Sequence, residues 1–355
     1  MPETAKTAVL LLAHGTPDVL GEMAEYLAKV TGGRALPQQV VEELQHRYSL
    51  IGLGEAPGPE APPLTRWTFT QAHLLQQALA AAGTPLPVYT GMRNWHPYIA
   101  EVVGQMRADG ITRLIAICLA PQNSRTSIGL YRRALMAAVD ADPSASKLDV
   151  TFVEEWPEEP ALIEAFATRL IEAYPVASAA AGTLAALPIL FTAHSVPCRT
   201  IMTGEASVVG ARPGTPIQAT PDPYPVEAKR TAALVFAAAA RQLPDLKQWF
   251  FAFQSQGVAG GPWIGPTVED TLTALRRQGH TAVVIQPIGF LCDHVEILYD
   301  IDIGFRDFAA GIGLEVVRPL SLNESPVLTA ALVDLARQGF ARLAARAQAT
   351  PVAAL

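Results

Sequence analysis

The chain has 355 residues and a formal net charge of −7; 50% of its residues are hydrophobic and only 17% are charged. This length is enough for two domains with sizeable cores. An acidic chain without a run of lysine or arginine is not typical of a nucleic-acid-binding protein. The three cysteines, Cys118, Cys198 and Cys292, are scattered without a Cys-x-x-Cys pair, so they indicate neither a disulfide framework nor a zinc or iron–sulfur site.

The chain shows no sequence signal for export or membrane insertion. Residues 1–6 are polar, and the apolar segment 8–13 is shorter than a signal-peptide core or a membrane span. No later segment reaches the about 18 uninterrupted apolar residues of a membrane helix. The Ala-rich segment 176–187 contains serine, glycine and threonine, and we interpret it as a loose helix end and connector. We therefore expect a soluble, cytoplasmic protein.

In the first half of the chain, short apolar runs alternate with segments of helical periodicity. The predicted strands are residues 9–13, 87–90, 113–119 and 149–154. The predicted helices are residues 20–30, 37–48, 68–82, 99–108, 131–139 and 162–174. Residues 52–63 contain four prolines and predict an irregular loop. This alternation is typical of a parallel sheet with crossover helices.

The second half repeats the same order of elements. Its predicted strands are residues 189–193, 249–253, 282–288 and 314–318. Its predicted helices are residues 226–241, 268–278, 293–305 and 325–345. A long loop rich in glycine and proline separates the first of these strands from the first of these helices.

Two local similarities indicate an internal repeat: residues 11–17 resemble 191–197, and residues 110–115 resemble 279–284. The sequence therefore predicts an α/β fold of two Rossmann-like domains, each a parallel sheet flanked by helices. The predicted domains are residues 1–174, on which the helix 325–345 packs back, and residues 175–324. A cleft between such domains is a common place for a small-molecule site.

Each half carries a histidine directly after its first predicted strand, His14 and His194. The carboxyl ends of parallel strands are where ligands bind in open α/β folds. A single histidine at a strand end is nevertheless more often a satisfied core or loop residue. For His14, the alternative is a hydrogen bond within the turn formed by residues 15–17.

Acidic residues follow the buried strand 282–288, namely Glu296, Asp300 and Asp302. Glu296 and Asp300 are four residues apart and share one face of the predicted helix. The alternative is that acids gather near a helix N-terminus, where the helix dipole favours them. A histidine and a carboxylate that meet in a cleft suit ferrous iron or a proton acceptor paired with an acid. The chain has no nucleophile elbow, P-loop or dinucleotide-binding glycine pattern.

Five segments, in this order, carry a resemblance to a known family. They are G-M-R-N-W-H-P at 91–97, F-T-A-H-S-V-P at 191–197, D-P-Y-P at 222–225, P-W-I-G-P at 262–266 and D-H-V-E-I-L-Y-D-I-D at 293–302. Together they resemble the ferrochelatase family over about residues 9–343. The resemblance implies a lyase with two Rossmann-like domains that inserts Fe²⁺ into a porphyrin in haem synthesis. It implies no further cofactor and no iron–sulfur cluster, because the cysteine cluster of some relatives is absent.

The resemblance also assigns site residues. His194 and Glu296 match the metal-insertion pair, with Asp300 as an auxiliary carboxylate. Arg47, Tyr48 and Tyr131 match positions that contact the porphyrin or a bound cation in bacterial members. His14 stands where bacterial relatives that metallate coproporphyrin often have tyrosine, and the internal repeat places it across the cleft as an axial ligand of product iron.

The chain departs from the family pattern at two further places. Gly304 replaces an acid that follows Glu296 and Asp300, and residues 52–57 replace a Gly-Gly-x-Ser-Pro-Leu pattern. We expect residues 90–95 and the loop 52–63 to form apolar lips of the cleft, although Met92 and Trp95 fit a core equally well.

Several alternatives stay open from the sequence. The substrate is either protoporphyrin IX or coproporphyrin III. A chelatase for another tetrapyrrole and metal, such as cobalt or nickel, is the alternative enzyme. A porphyrin or haem carrier needs the cleft and an axial ligand but not Glu296. We expect a monomer, and a transient contact with a membrane or another haem-pathway enzyme is open.

Overall fold

The strands of the described residues form two separate parallel sheets of four strands each. The computed structural model describes residues 6–58, 62–142, 148–180, 186–211, 213–257 and 261–349. The first sheet contains β1 (Lys6–Ala13), β2 (Val88–Met92), β3 (Ile111–Cys118) and β4 (Asp149–Val153). The second contains β5 (Ile189–His194), β6 (Trp249–Gln254), β7 (Ala282–Pro287) and β8 (Glu315–Val317). The predicted α/β architecture with two parallel sheets is confirmed.

Both sheets have the same strand order. It is β2-β1-β3-β4 in the first sheet and β6-β5-β7-β8 in the second, as the internal repeat predicts. The first strand of each half is therefore central: Leu11 of β1 lies between Thr90 and Ile117, and Phe191 of β5 lies between Phe251 and Gln286. The two histidines thus leave their sheets at the carboxyl ends of central strands.

Helices connect these strands. The α-helices of the described residues are α1 (Met23–Val30), α2 (Gln38–Leu50), α3 (Pro63–Ala81), α4 (Ile99–Ala108), α5 (Ile128–Asp140), α6 (Pro160–Ala180), α7 (Cys198–Ile201), α8 (Tyr224–Ala240), α9 (Val268–Arg277), α10 (Val295–Leu298), α11 (Arg306–Gly311) and α12 (Pro326–Ala349). No helix among the described ranges is both long enough and apolar enough to cross a membrane.

Two predicted helix boundaries differ from the structure by more than four residues. Helix α3 begins at Pro63 rather than at residue 68, because proline at the first helical position costs no hydrogen bond. Helix α6 continues through Pro175 to Ala180, where the sequence predicts a loose end, because it packs on both α8 and α12. The predicted loop 52–63 includes residues 59–61 and the predicted connector includes residues 181–185, and both of these short segments lie outside the described residues.

The predicted continuous helix over 293–305 was also wrong. The chain forms the short helix α10, then a π-helix over Asp300–Phe305, and then α11. The Gly304 N–H donates to the carbonyl oxygen of Tyr299, five residues earlier, which is the π-type bond. Glu296 and Asp300 consequently do not share a face of one regular α-helix.

The largest apolar core includes residues of both halves. Ile115 of β3, Phe166 of α6 and Phe191 of β5 are all buried in it. Helix α6 packs against α8, and α12 packs against α3, α6, β3 and β4. The two sheets are therefore joined by a shared helical layer, which fixes the cleft between their carboxyl ends.

Candidate active site

A cavity of about 1730 Å³ lies where the carboxyl ends of the two sheets face each other. It is lined by segments that follow β1, β2 and β3 in the first half and β5, β6 and β7 in the second half. The cavity brings together all the residues that the sequence singled out for the site: His14, Arg47, Tyr48, Tyr131, His194, Glu296 and Asp300. Met92 and Trp95, by contrast, are buried and belong to the core rather than to the lips.

His194, the last residue of β5, has a defined ring orientation. Its Nδ1 lies 2.5 Å from the carbonyl oxygen of Ser195. Because a carbonyl can only accept, Nδ1 carries the proton, and the lone pair of the neutral ring is on Nε2. The ring centroids of Trp263 and Phe290 lie 6.5 and 6.4 Å from that of His194, so aromatic side chains flank it. The arrangement suits Nε2 for accepting a proton or binding a metal ion.

The backbone around His194 is closely packed. The Ser195 N–H donates to the carbonyl oxygen of Gln254 at 2.7 Å, and the Ser195 hydroxyl donates to the carbonyl oxygen of Ile264 at 2.8 Å. Gly289, after β7, passes so close that a Cβ there would lie 3.1 Å from the Cβ of Ala193. The end of β5 is thus held from several sides.

Glu296 lies in the first turn of α10 beside a second histidine, His294. The Oε2 atom of Glu296 is 3.4 Å from His294 Nε2. Burial by itself raises the pKa of Glu296, but the neighbouring His294, His194 and His14 lower it below the usual range. Burial lowers the pKa of His294. The pair is therefore an ionised carboxylate beside an imidazole that favours its neutral form.

Asp300 faces the first half of the chain across the cavity. It accepts a hydrogen bond of 2.5 Å from the Ser255 hydroxyl, and its Oδ1 lies 4.0 Å from Nη1 of Arg47. Burial raises the pKa of Asp300, and the charge of Glu296 also raises it. The Arg47 guanidinium also lies over the Tyr299 ring, at 5.0 Å from its centroid. Helix α2 therefore reaches the acidic segment of the second half through Arg47.

Tyr48 and Tyr131 are both buried in the wall of the first half. Tyr48 hydrogen-bonds to Thr16 and Tyr26, and burial raises its pKa. Burial likewise raises the pKa of Tyr131, over whose ring the Arg93 guanidinium lies at 5.8 Å from the centroid. Both phenols are therefore neutral groups at physiological pH.

His14 repeats the ring geometry of His194 with one difference. Its Nδ1 lies 3.1 Å from the carbonyl oxygen of Gly15, as Nδ1 of His194 lies by Ser195. The Tyr26 hydroxyl lies 3.2 Å from the same Nδ1, and the Asn94 amide nitrogen lies 2.9 Å from Nε2. Burial, helped by the charge of Arg93, lowers the pKa of His14 to about 4. His14 is thus neutral, and it makes the turn hydrogen bond that the sequence left as an alternative.

Three residues of this site were missed by the sequence reasoning. His294 stands two residues before Glu296 and could have been found from that proximity. Asn94 lies in the segment 91–97, which was used for the family resemblance but not for the site. Tyr26 gave no signal, since it occupies an apolar position of a helix. Within the described ranges, no three His, Cys, Asp or Glu side chains are arranged to hold a metal ion.

The fold and the site together define a class of protein: a two-sheet α/β protein in which histidine and carboxylate meet in a cleft. The model of the ferrochelatase family matches residues 6–340. The ferrochelatase of Acidobacterium capsulatum is 53% identical over 349 residues, which cover 98% of this chain and 99% of that protein. The chain therefore belongs to the ferrochelatase family, as the sequence motifs predict.

Two more distant relatives extend this comparison. The coproporphyrin III ferrochelatase of Staphylococcus aureus is 29% identical over 344 residues, 93% of this chain and 98% of that protein. The crystal structure of the sirohydrochlorin chelatase SirB from Bacillus subtilis subspecies spizizenii in complex with cobalt has a TM-score of 0.52 at 10% identity. It covers 94% of this chain and 95% of its own, and at this identity the similarity concerns the fold alone. The expected function, insertion of Fe²⁺ into a porphyrin in haem synthesis, is that of the ferrochelatase family.

Proposed function

We propose that His194 and Glu296 perform the insertion, with the porphyrin in the cleft and iron entering beside Glu296. The observation that carries this proposal is the orientation of His194, whose Nδ1–H bond to Ser195 leaves the Nε2 lone pair for a pyrrole N–H. The ionised Glu296 supplies the negative charge that attracts Fe²⁺ to the same part of the cleft.

The reaction needs two proton acceptors, and His194 and the Glu296–His294 pair can supply one each. A free-base porphyrin loses two N–H protons when its four nitrogens bind Fe²⁺, so the reaction releases two protons for each iron inserted. His194 Nε2 accepts the first proton. The Glu296–His294 pair, whose atoms are 3.4 Å apart, accepts the second and passes it to water. Each acceptor then returns to its starting state when its proton leaves.

We also propose that the chain acts as a monomeric, cytoplasmic lyase without a redox cofactor or an iron–sulfur cluster. Iron stays in the ferrous state throughout insertion, so the reaction needs no electron acceptor. The seven residues that the sequence assigns to the site line one cavity of this chain, which supports a site within a single copy. We propose in addition a transient contact with a membrane or with another enzyme of haem synthesis.

Anaerobic insertion assays with Fe²⁺ test this function. We expect His194→Ala to keep its affinity for porphyrin and to lose insertion by about two to four orders of magnitude, as for other positioned acid–base groups. Near wild-type turnover in this variant would refute the assignment. Protoporphyrin IX and coproporphyrin III should be offered in parallel, because four propionates need more cationic partners than two and the ratio of kcat/KM identifies the substrate.

A further inference from the structure

Tyr224, the first residue of α8, contacts the backbone of His194. It is buried, and its hydroxyl donates a hydrogen bond of 2.8 Å to the carbonyl oxygen of His194. Strand β5 faces β7 along one edge. The last hydrogen bond along that edge is donated by the Ile288 N–H, just after β7, to the carbonyl oxygen of Thr192, at 2.9 Å. Alternate carbonyl groups of a strand point to the same side, so the carbonyls of Thr192 and His194 both face the β7 edge. The Tyr224 hydroxyl therefore binds the next carbonyl along this edge, beyond the last one that is bound by the β7 segment.

Tyr224 is itself held by Asp222, an acid with an exposed fraction of only 4%. Asp222 Oδ1 accepts from the Tyr224 N–H at 3.0 Å, and Oδ2 accepts from the N–H of Arg125 at 2.9 Å. Arg125 belongs to the loop after β3 in the first half, and its guanidinium donates to the carbonyl oxygen of Thr200 at 3.0 Å. A continuous set of hydrogen bonds thus runs from the first half, through Asp222 and Tyr224, to His194.

We propose that Tyr224 is a positioning residue for His194, and that Asp222 makes this positioning depend on the docking of the first half of the chain. This inference rests on the proposed function of His194. The Tyr224 hydroxyl sets the direction in which the backbone leaves β5, and the imidazole direction follows from it. Displacing a reacting group by about 1 Å can cost about a hundredfold in rate.

The test compares two Tyr→Phe variants that each remove one buried hydroxyl. Tyr174→Phe is the control, because the Tyr174 hydroxyl also hydrogen-bonds to the main chain: it donates to the carbonyl oxygen of Asp245 at 3.4 Å and accepts from the Leu187 N–H at 3.0 Å. Tyr174 does not belong to the residues that line the cavity. We expect Tyr174→Phe to lose at least as much stability in thermal unfolding as Tyr224→Phe, because it removes the hydrogen-bond partner of two main-chain groups rather than one. We expect kcat for Fe²⁺ insertion to fall about ten- to a hundredfold in Tyr224→Phe only, with the KM for porphyrin unchanged. A kcat of Tyr224→Phe within about twofold of wild type, or an equal loss in Tyr174→Phe, would overturn the proposal.

A double variant separates positioning from a general structural effect. If Tyr224 acts through His194, Tyr224→Phe should not lower the residual rate of His194→Ala any further. A further tenfold loss in the double variant would show that Tyr224 acts by another route and would overturn the proposal. The same series keeps the two hypotheses distinct: an active His194→Ala refutes the proposed function, whereas an inactive His194→Ala with a normal Tyr224→Phe refutes only the positioning role.

Asp222→Asn examines the link to the first half. The amide keeps one oxygen for the Tyr224 or the Arg125 N–H but cannot accept both in the same way. We expect kcat to fall by less than in Tyr224→Phe, again with the KM for porphyrin unchanged. A wild-type kcat in Asp222→Asn would refute the dependence on the first half. If Asp222→Asn does not fold, the two Tyr→Phe variants still decide the role of Tyr224.

Discussion

Arg318 binds Asp302 with two parallel hydrogen bonds, from Nε to Oδ1 and from Nη2 to Oδ2, both of 2.7 Å. The Arg318 side chain is only 8% exposed, and its Nη1 also lies 3.6 Å from Oδ1 of Asp293. One guanidinium therefore pairs with an acid on each side of Glu296. Both carboxylate oxygens of Asp302 are bound by Arg318. Asp302 therefore does not take the place of a third acid beside Glu296 and Asp300.

Breaking this pair should destabilise the protein. We expect Arg318→Gln to lower the free energy of unfolding by about 3 kcal/mol, because two partly buried carboxylates lose the guanidinium nearest to them. Asp302 keeps a more distant cation, since Nη2 of Arg306 lies 3.8 Å from its Oδ1. Urea denaturation measures this loss. The double variant Arg318→Met with Asp302→Leu should recover part of it, since the charge left by the single change is removed as well. An Arg318→Gln protein as stable as wild type would contradict the interpretation.

The two carboxylates of the cleft should have different roles. Glu296 pairs with His294, whereas Asp300 accepts a hydrogen bond from Ser255 and faces Arg47. We expect Glu296→Gln to abolish insertion. We expect Asp300→Asn to raise the KM for Fe²⁺ with a smaller effect on kcat. Steady-state kinetics with varied Fe²⁺ distinguishes the two, and equal losses of kcat would show that the acids act as one unit.

The free energy of unfolding should decrease as the pH falls below about 6.5, because His14 is held neutral in the folded protein. The pKa of His14 is about 4 in the folded protein, while the unfolded chain has about 6.5. Between these values the unfolded state binds more protons, so the free energy of unfolding falls as the pH falls, by at most about 1.4 kcal/mol per pH unit from this residue. His14→Gln should flatten this slope in urea denaturation between pH 6.5 and 4. Identical slopes for His14→Gln and wild type would contradict the prediction.

The sequence predicted the features that local patterns determine. Apolar runs located the strands, and the position of His14 and His194 after the first strand of each half predicted that they meet at one cleft. Other contacts of the site come from residues that are distant in the sequence, and no local pattern reports them. Tyr224 reaches His194 across 30 residues, and Arg318 reaches Asp302 across 16. The π-helix after Tyr299 also escaped prediction, because its sequence has the same apolar periodicity as an α-helix.

Asn94 distinguishes the two pseudo-equivalent histidines of the cleft. In His14 the Nε2 atom already lies 2.9 Å from the Asn94 amide nitrogen, so iron coordination by His14 requires this hydrogen bond to break. We expect the haem complex of Asn94→Ala to show more nitrogen-ligated iron than wild type, because Nε2 is then free of competition. His14→Ala should lose that spectral form, whereas His194→Ala should keep it.

The absorption and resonance Raman spectra of the bound product, with its release rate, make this measurement. If His14 only makes hydrogen bonds within the turn formed by residues 15–17, the spectra and the release rates of wild type, His14→Ala and Asn94→Ala will coincide. A ligand role for His14 predicts instead that the two variants change in opposite directions, with slower haem release from Asn94→Ala and faster release from His14→Ala. Because both variants alter the same hydrogen bond, a general loss of packing would shift both in the same direction.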